Sequence, residues 1–161
     1  MIEIVKADLS NPQHGRALVD LLDNYARDPM GGGKPLSETV KLNLVPALLQ
    51  RKTIHTFLAF SDGQAVGLAN CVEGFSTFAC KPLLNIHDIA VAPDHRKQGI
   101  ATLLLEAAEK LALAQGCCKI TLEVLEGNEA AKSVYTRFGF AAYALNPAAG
   151  MAMFWEKRLE P

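Results

Sequence analysis

The sequence predicts an α/β protein with a single domain over residues 1–161 and a mixed sheet, its elements running in the order β-αα-βββ-α-β-α-ββ. Segments that alternate apolar and polar residues are interleaved with segments whose apolar residues recur every three or four positions, which indicates mixed strands and helices. In the second half a strand, a long helix and another strand follow in turn, which predicts a βαβ unit with parallel strands. A chain of 161 residues has the usual length of one domain.

The first third of the chain predicts one strand and two helices. Residues 2–8 alternate in polarity, and Asn11-Pro12 opens a helix because proline suits the first helical turn. The apolar positions of this helix are Ala17, Leu18, Leu21, Leu22 and Tyr25. Ser37 is a suitable N-cap for a second helix, with apolar positions Val40, Leu44, Leu48 and Leu49. A loop with three consecutive glycines, Asp28 to Pro35, joins the two helices.

The middle of the chain predicts three strands. Thr53 to Phe60 and Ala65 to Phe75 are rich in β-forming residues and flank the turn Ser61-Asp62-Gly63-Gln64, which predicts a hairpin. Leu83 to Ala92 is strongly apolar and predicts the third strand, which Pro93 ends.

The second half begins with a long amphipathic helix from about Gln98 to Gln115, which Gly116 ends. Its predicted core stripe is Ile100, Leu103, Leu104, Ala107, Ala108 and Leu111. The pattern then predicts a strand with Cys118, Ile120, Leu122 and Val124 on one face, and a short helix from Glu129 to Phe138. Two closing strands are predicted at Phe140 to Tyr143 and Met151 to Arg158.

Composition and charge exclude several classes of protein. Sixteen basic against seventeen acidic residues give a net charge of −1, which argues against a nucleic-acid partner. The chain has neither a signal-peptide pattern nor an apolar run of the ~18 residues that a membrane helix needs, so we expect no membrane partner and a cytoplasmic location. The four cysteines lack zinc spacing, which predicts reduced thiols and no metal: Cys71, Cys80, Cys117 and Cys118. Three histidines are interpreted as surface or loop residues: His14, His55 and His95.

The most informative stretch is residues 89–102, where a buried strand is followed by a tight loop and a helix start. A helix N-terminus exposes unpaired N–H groups and the positive end of the helix dipole. Gly99 and Ala101 would let a phosphate approach that backbone closely, and Arg96 and Lys97 add positive charge. The stretch therefore predicts a pyrophosphate site, although an ordinary strand–helix turn has the same local pattern.

Two spaced motifs give this stretch a family resemblance. The first is Arg96-x-x-Gly99-x-Ala101 after a strand ending Ile89-x-Val91-x-Pro93, and the second is Asn128-x-x-Ala131-x-x-x-Tyr135-x-x-x-Gly139-Phe140. In this order the motifs resemble the acetyl-CoA-binding motifs of the GCN5-related N-acetyltransferases (GNAT). The resemblance implies a GNAT-like fold and an acetyl-CoA-dependent N-acetyltransferase that works by direct transfer in a ternary complex.

The resemblance also assigns roles. Backbone groups of Ile89 and Val91 would pair with the pantetheine arm, and N–H groups from Lys97 to Thr102 would hold the pyrophosphate. Tyr135 would be the general acid for the departing thiolate, although its helical spacing also fits a core aromatic. The implied cofactor-binding residues are Ile89, Ala90, Val91, Arg96, Lys97, Gln98, Gly99, Ile100, Ala101, Thr102, Asn128 and Tyr135.

A base should accept the proton that the acceptor amine loses. Asn85 and His87 share one face of their strand if no bulge intervenes, and His87 titrates near neutral pH. His87 is thus the first candidate base, with an equal alternative reading as a histidine that only lines the cleft. Glu73 in the neighbouring strand is the rival. Asp88 alternates to the opposite face and is interpreted as structural.

The acceptor side is less specified. The early helices and the loop within Tyr25 to Ser37 would shape acceptor binding, and four acids could suit a cationic amine: Asp23, Asp28, Glu38 and Glu73. A small-molecule amine is favoured over a protein because the chain carries no added recognition module. The resemblance is compatible with a homodimer. Two other function classes stay open at this point: a non-catalytic CoA-binding sensor, and an interaction protein whose loop only resembles the cofactor motif.

Overall fold

The computed structural model describes residues 1–159 and confirms a mixed α/β fold. These residues divide into two compact units, the first from Met1 to Leu122 and the second beginning at Glu123. The first unit contains β1 (Ile2–Lys6), α1 (Pro12–Arg27), α2 (Glu38–Leu49), β2 (Ile54–Ser61), β3 (Gln64–Ser76), β4 (Lys81–Val91), α3 (Ile100–Ala114) and β5 (Ile120–Leu122). The second unit contains α4 (Glu129–Phe138).

The strands of the first unit form one sheet in the order β1-β2-β3-β4-β5. The pairs from β1 to β4 are antiparallel, and β4 pairs with β5 in parallel, which confirms the predicted βαβ unit. The β4–β5 ladder joins only Leu84–Ile86 to Ile120–Leu122. Since β4 runs on to Val91, its last five residues have no strand partner on the β5 side within the described chain.

The sheet is covered by α1 on one face and by α3 on the other. Leu68 of β3 belongs to a buried cluster with Ala17 and Leu21 of α1. On the opposite face, a Cβ added to Gly67 would lie 3.1 Å from Ile100 and 3.3 Å from Leu104, both in α3. Successive strand residues point to opposite faces, so each later position of β3 can be assigned to the α1 face or the α3 face.

Side-chain caps mark the first residues of α1 and α2. The Asn11 side chain accepts a hydrogen bond from the Gln13 N–H at the start of α1, and the Ser37 hydroxyl accepts one from the Val40 N–H at the start of α2. The β2–β3 turn has positive φ angles at Asp62 and Gly63, as a tight hairpin turn requires. Among the described residues, no helix combines the length and apolar character that crossing a membrane requires.

The core stripe of α3 is shifted from the predicted one. Its buried residues are Ile100, Leu104, Leu105, Ala108 and Ala112, whereas Leu103, Ala107 and Leu111 are half-buried. The spacing of leucines and alanines predicts an apolar stripe, but it does not show which edge of that stripe the sheet covers. The next strand is also shorter than predicted, because Cys118 and Val124 lie outside β5 and are exposed.

A β-bulge in β4 overturns the predicted alternation. Asn70 of β3 is paired with Asp88, but its neighbour Cys71 is paired with Ile86, so His87 is an extra residue in the ladder. The bulge places Asp88 on the same face as Asn85, and the prediction that Asp88 points to the opposite face is wrong. His87 itself is exposed.

The two predicted closing strands, Phe140–Tyr143 and Met151–Arg158, are wrong as strands. A backbone hydrogen bond from the Ala152 N–H to the Tyr143 oxygen, at 3.0 Å, joins the two segments. A 3-10 turn at Pro147–Ala149 and a positive φ at Gly150 occupy the connection between them. An isolated pair of strands is marginal without a buried face, and Trp155 is 80% exposed.

Candidate active site

The turn between β4 and α3 presents a row of backbone donors. Gly99 precedes α3 with φ +80° and offers no side-chain cap, and Lys97 holds a left-handed conformation with φ +62°. Within the described chain, the backbone N–H groups from Lys97 to Thr102 donate to no protein acceptor; the first bonded donor is Leu103, to the Gly99 oxygen. Six donors at the positive end of a helix dipole can bind an anion.

The Arg96 side chain, next to the donor row, is bound to two other parts of the chain. Its Nε donates to the Val91 oxygen at 3.1 Å, and its terminal nitrogen contacts Asp28 at 2.9 Å. The Met30 N–H and the Arg96 guanidinium lower the pKa of the Asp28 carboxyl group. Arg96 therefore ties the loop after α1 to the end of β4, while Lys97 has no ion pair within residues 1–159.

The unpaired end of β4 presents backbone groups of Ile89 and Val91. The Ala92 N–H donates to the Val66 oxygen of β3, so the neighbouring Val91 points its own groups away from β3. The Arg96 contact to the Val91 oxygen agrees with that direction. Ile89, two residues earlier, shares the orientation of Val91. This edge begins beside the donor row at the start of α3 and leads back to the bulge at His87.

A hydrogen-bonded row crosses the α1 face of the sheet at the bulge. The Thr56 hydroxyl donates to the Asn70 side-chain oxygen at 2.7 Å, and the Asn70 amide donates to Asp88 at 3.0 Å. Thr56 and Asn70 are buried. Burial raises the pKa of the nearby Tyr25 phenol, and the charges of Asp88 and Asp28 add to that shift.

Glu73 lies on the other face of the sheet. Its carboxylate accepts hydrogen bonds from His55 and Gln115, each at 2.5 Å, and these contacts lower the pKa of Glu73, the His55 contact most. Gln115 directly follows α3, whereas Gly67 packs beside the first turn of α3. Glu73 lies six positions after Gly67 in the strand, or about 20 Å away. The prediction that His55 is a surface or loop residue is wrong: it belongs to β2 and its side chain is 11% exposed.

The second sequence motif, Asn128 to Phe140, lies entirely in the second unit. The Asn128 side-chain oxygen accepts a hydrogen bond from the Ala131 N–H at 3.2 Å and so caps α4, which spans the predicted Glu129–Phe138. Tyr135 is half-buried in this helix, with its ring edge-on to Phe140 at 6.0 Å. Gly139 ends the helix with φ +109°, as a glycine at that position permits.

Two of the cysteine thiols have raised pKa values. Burial raises the pKa of Cys71 to about 12, and burial also raises the pKa of Cys117. A thiol with a raised pKa is a poor nucleophile at neutral pH. No group of three His, Cys, Asp or Glu side chains within residues 1–159 is placed to hold a metal ion.

Comparison with known families agrees with this arrangement of elements. The model of the acetyltransferase (GNAT) family matches residues 18–140, which include the donor row, the bulge and α4. The chain belongs to the GNAT family. The resemblance inferred from the two sequence motifs is confirmed.

Individual relatives extend the comparison. Streptothricin acetyltransferase of Streptomyces lavendulae is 38% identical over 94 residues, which are 58% of this chain and 48% of that protein. The chain spans about half the length of the first curated relatives that it matches. A crystal structure of a probable acetyltransferase is 25% identical with a TM-score of 0.81, covering 98% of this chain and 99% of the other. An aminoglycoside N-acetyltransferase in complex with CoA shares the fold at a TM-score of 0.74 and 22% identity, covering 99% and 96%.

Sequence reasoning missed the row of Thr56, Asn70 and Asp88. No residue signal marks a bulge, and strict alternation therefore assigned Asp88 to the wrong face. It also missed the Arg96–Asp28 contact, which joins residues 68 positions apart. The capping role of Asn128 was within reach, because asparagine before a helix is a favoured N-cap.

Proposed function

We propose that this GNAT protein is an acetyl-CoA-dependent N-acetyltransferase that transfers the acetyl group directly to a primary amine in a ternary complex. The observation that supports this most is the row of N–H groups from Lys97 to Thr102 that donate to no protein acceptor within the described chain. Such a row suits a diphosphate, and it stands next to the open edge of β4. Both features come from residues that carry the family motif.

The proposed cofactor path follows the first unit. The pyrophosphate would accept hydrogen bonds from the backbone N–H groups of Lys97 to Thr102, and Lys97 would add positive charge. The pantetheine amides would pair with Ile89 and Val91 as an added strand. The acyl end would then lie near the bulge at His87. The amide nitrogen of Asn128, whose oxygen caps α4, is the proposed contact of the second unit with the arm.

The proposed chemistry is a direct displacement. The neutral amine nitrogen forms a bond to the acetyl carbonyl carbon, and the bond from that carbon to sulfur breaks. A backbone N–H near Val91 stabilises the charge that develops on the carbonyl oxygen. Tyr135 donates its phenolic proton to the departing thiolate, and a base or water accepts the proton that the amine loses. No cysteine intermediate is needed, in keeping with the raised pKa values of Cys71 and Cys117.

The two predicted bases differ in their surroundings. Glu73 is already bonded to His55 and Gln115 on the α3 face, toward the far end of α3. His87 is exposed at the bulge, where the acyl end is proposed to lie. We therefore retain His87, directly or through water, as the base and assign Glu73 to the support of the sheet. We favour a small molecule as the acceptor. Streptothricin acetyltransferase is one relative whose name indicates such an acceptor.

A thiol-release assay tests the proposal. Purified protein is mixed with acetyl-CoA and a panel of alkyl amines, diamines, aminoglycosides and peptides, and free CoA thiol is measured. Turnover with at least one amine is expected, and Tyr135→Phe should lower kcat about 10²-fold or more with little change in CoA affinity. Glu106→Gln, on the exposed side of α3, is the control and should act as wild type. CoA binding without turnover of any amine would instead support a sensor, and absence of CoA binding would refute both.

A further inference from the structure

The loop that follows α1 (residues 28–35, the glycine loop) is organised by its first residue. Asp28 uses both of its carboxylate oxygens: one accepts the Met30 N–H at 2.9 Å, and the other accepts a terminal nitrogen of Arg96 at 2.9 Å. The first contact lies within the loop, and the second reaches the turn between β4 and α3. Asp28 therefore joins the glycine loop to a segment 68 positions away in the sequence.

Backbone contacts hold the first half of the glycine loop against the end of α1. The Asp28 backbone oxygen accepts hydrogen bonds from the N–H groups of Gly31 at 2.8 Å and Gly33 at 3.0 Å. A Cβ added to Gly31 would lie 1.9 Å from the Tyr25 oxygen, so this part of the loop has no room for a side chain. The position of Asp28 therefore sets the position of the glycines that follow it.

Arg96 connects Asp28 to the end of β4. Its Nε donates to the Val91 oxygen at 3.1 Å, while its terminal nitrogen contacts Asp28. The guanidinium holds its N–H groups in a rigid fork, so each contact restrains the direction of the other. A carbonyl oxygen has two lone pairs, and the Val91 oxygen can therefore still accept from a pantetheine amide. An unbroken series of hydrogen bonds thus leads from the glycine loop to the proposed cofactor edge.

The consequence of the Asp28–Arg96 contact is geometric. The Met30 N–H and the Arg96 guanidinium lower the pKa of Asp28, so its carboxylate is charged at neutral pH. The Arg96 side chain is nevertheless 49% exposed, and exposed ion pairs contribute little to stability. The contact therefore matters for where it holds the glycine loop more than for the stability of the fold.

We propose that Asp28 is a positioning residue that acts through Arg96, holding the glycine loop to the end of β4 and thereby coupling CoA binding to the order of that loop. This inference rests on the proposed N-acetyltransferase function, and it takes the glycine loop as part of the acceptor site. CoA bound along the edge of β4 restrains the Val91 oxygen. Arg96, bonded to that oxygen, then restrains Asp28 and the loop, so the acceptor meets an ordered loop once CoA is bound.

Hydrogen exchange followed by NMR measures this coupling without requiring turnover. Saturating CoA should slow exchange of the Met30, Gly31 and Gly33 amides of wild type about fivefold or more, the lower end of ordinary coupling between sites. The Gln13 amide, which donates to Asn11 at the start of α1, is the internal control. It exchanges by local fraying of that helix end and should not respond to CoA.

Two variants break the series of hydrogen bonds at different places. Asp28→Asn keeps an oxygen for the Met30 N–H but loses the ion pair. Arg96→Lys keeps the positive charge, but one ammonium group cannot bond Val91 and Asp28 as a fork. Both variants should bind CoA with nearly wild-type affinity by calorimetry and lose the slowing of loop exchange. The double variant should respond as either single variant does, because both changes remove one contact.

The loop should also affect the acceptor. With the best amine of the panel, Asp28→Asn should raise KM for the amine severalfold at an unchanged CoA affinity, and Glu106→Gln is the control that should keep wild-type values. Loop exchange that CoA leaves unchanged or accelerates in wild type would overturn the coupling, and turnover of an amine would still support the acetyltransferase. Slowing that persists in both single variants would overturn it as well. Absence of CoA binding by wild type would refute the proposed function and this inference together.

Discussion

Lys97 adopts a backbone conformation that glycine tolerates better. Its φ of +62° is left-handed, and it stands two residues before Gly99 in the donor row. A left-handed residue with a Cβ costs roughly 1–2 kcal/mol. The side-chain charge would favour a bound pyrophosphate, so the proposed function gives a physical reason for a lysine at this strained position.

Replacing this lysine should separate stability from binding. Lys97→Gly is expected to raise the free energy of unfolding by about 1 kcal/mol, because the strain is relieved. It should also weaken CoA binding severalfold, since a cation beside the phosphates is lost. Urea denaturation and calorimetry measure the two effects. Lys97→Ala removes the charge and retains the strain, so it should weaken binding without the gain in stability; equal stability of the two variants would contradict the strain.

Glu73 predicts a pH-dependent contribution to stability. The His55 contact, followed by the Gln115 contact, lowers the pKa of Glu73 from its usual value of 4.5. A lowered carboxyl pKa stabilises the fold above the unfolded value, and this stabilisation is lost as the pH falls through the folded value. Glu73→Gln should therefore flatten the fall of Tm as the pH drops below about 4.5, the usual pKa of the group. A fall as steep as in wild type would exclude Glu73 as a contributor; Glu106→Gln is the exposed control.

Single residues could be predicted where the cause is local. Ser37 was identified as an N-cap because capping depends on the next three residues alone, and Pro12 marked the start of α1 because proline suits the first helical turn. His55 was misjudged because its partner Glu73 is 18 positions away and becomes its neighbour only through strand pairing. The direction of Asp88 failed for the same reason, since it depends on the register with β3.

At the scale of elements, the start of α3 determines whether the donor row is available. Gly99 has φ +80°, and a Cβ added there would meet no atom within 4 Å. A left-handed alanine is strained by about 1 kcal/mol but blocks nothing in the ligand-free chain. Gly99 thus allows the left-handed backbone of the donor row, and we expect a charged side chain at this position to affect an anion that the row binds.

Two substitutions at Gly99 distinguish backbone strain from the anion site. Gly99→Ala should lower the unfolding free energy by about 1 kcal/mol with a modest loss of CoA affinity. Gly99→Glu should share that loss of stability and weaken CoA binding at least tenfold more than alanine does, because a carboxylate repels the phosphates. Denaturation and calorimetry give both quantities. Equal CoA affinity in the alanine and glutamate variants would place the pyrophosphate elsewhere.

The sequence predicts some elements more accurately than others. α4 was predicted at its observed bounds, because Gly127-Asn128 breaks the pattern of the preceding strand directly before the helix. The bulge in β4 could not be predicted, since it arises from the match between two strands rather than from one pattern. The closing strands failed because alternation shows that a segment suits a strand, not that a partner and a buried face exist for it.

At the scale of the whole molecule, one geometric fact links the pieces of the proposed site in the first unit. β4 pairs with β5 for three residues and then continues alone to Val91. The chain leaves β4 through the donor row, returns along α3, and rejoins the sheet at β5. A ligand edge and an anion site therefore arise from the same βαβ crossover, which the alternating patterns had predicted without revealing where the strands separate.

Binding at that crossover should stabilise the whole fold. A ligand at one hundred times its Kd adds about 2.7 kcal/mol, which corresponds to about 5–10 °C in Tm for a domain of this size. Saturating CoA should give such a shift, whereas pantetheine, which pairs with β4 but lacks the pyrophosphate, should give a small fraction of it. Gly99→Glu should abolish most of the CoA shift and leave the pantetheine response as it was. If pantetheine matched CoA in wild type, the donor row would contribute nothing to binding, and the open edge of β4 would hold the ligand alone.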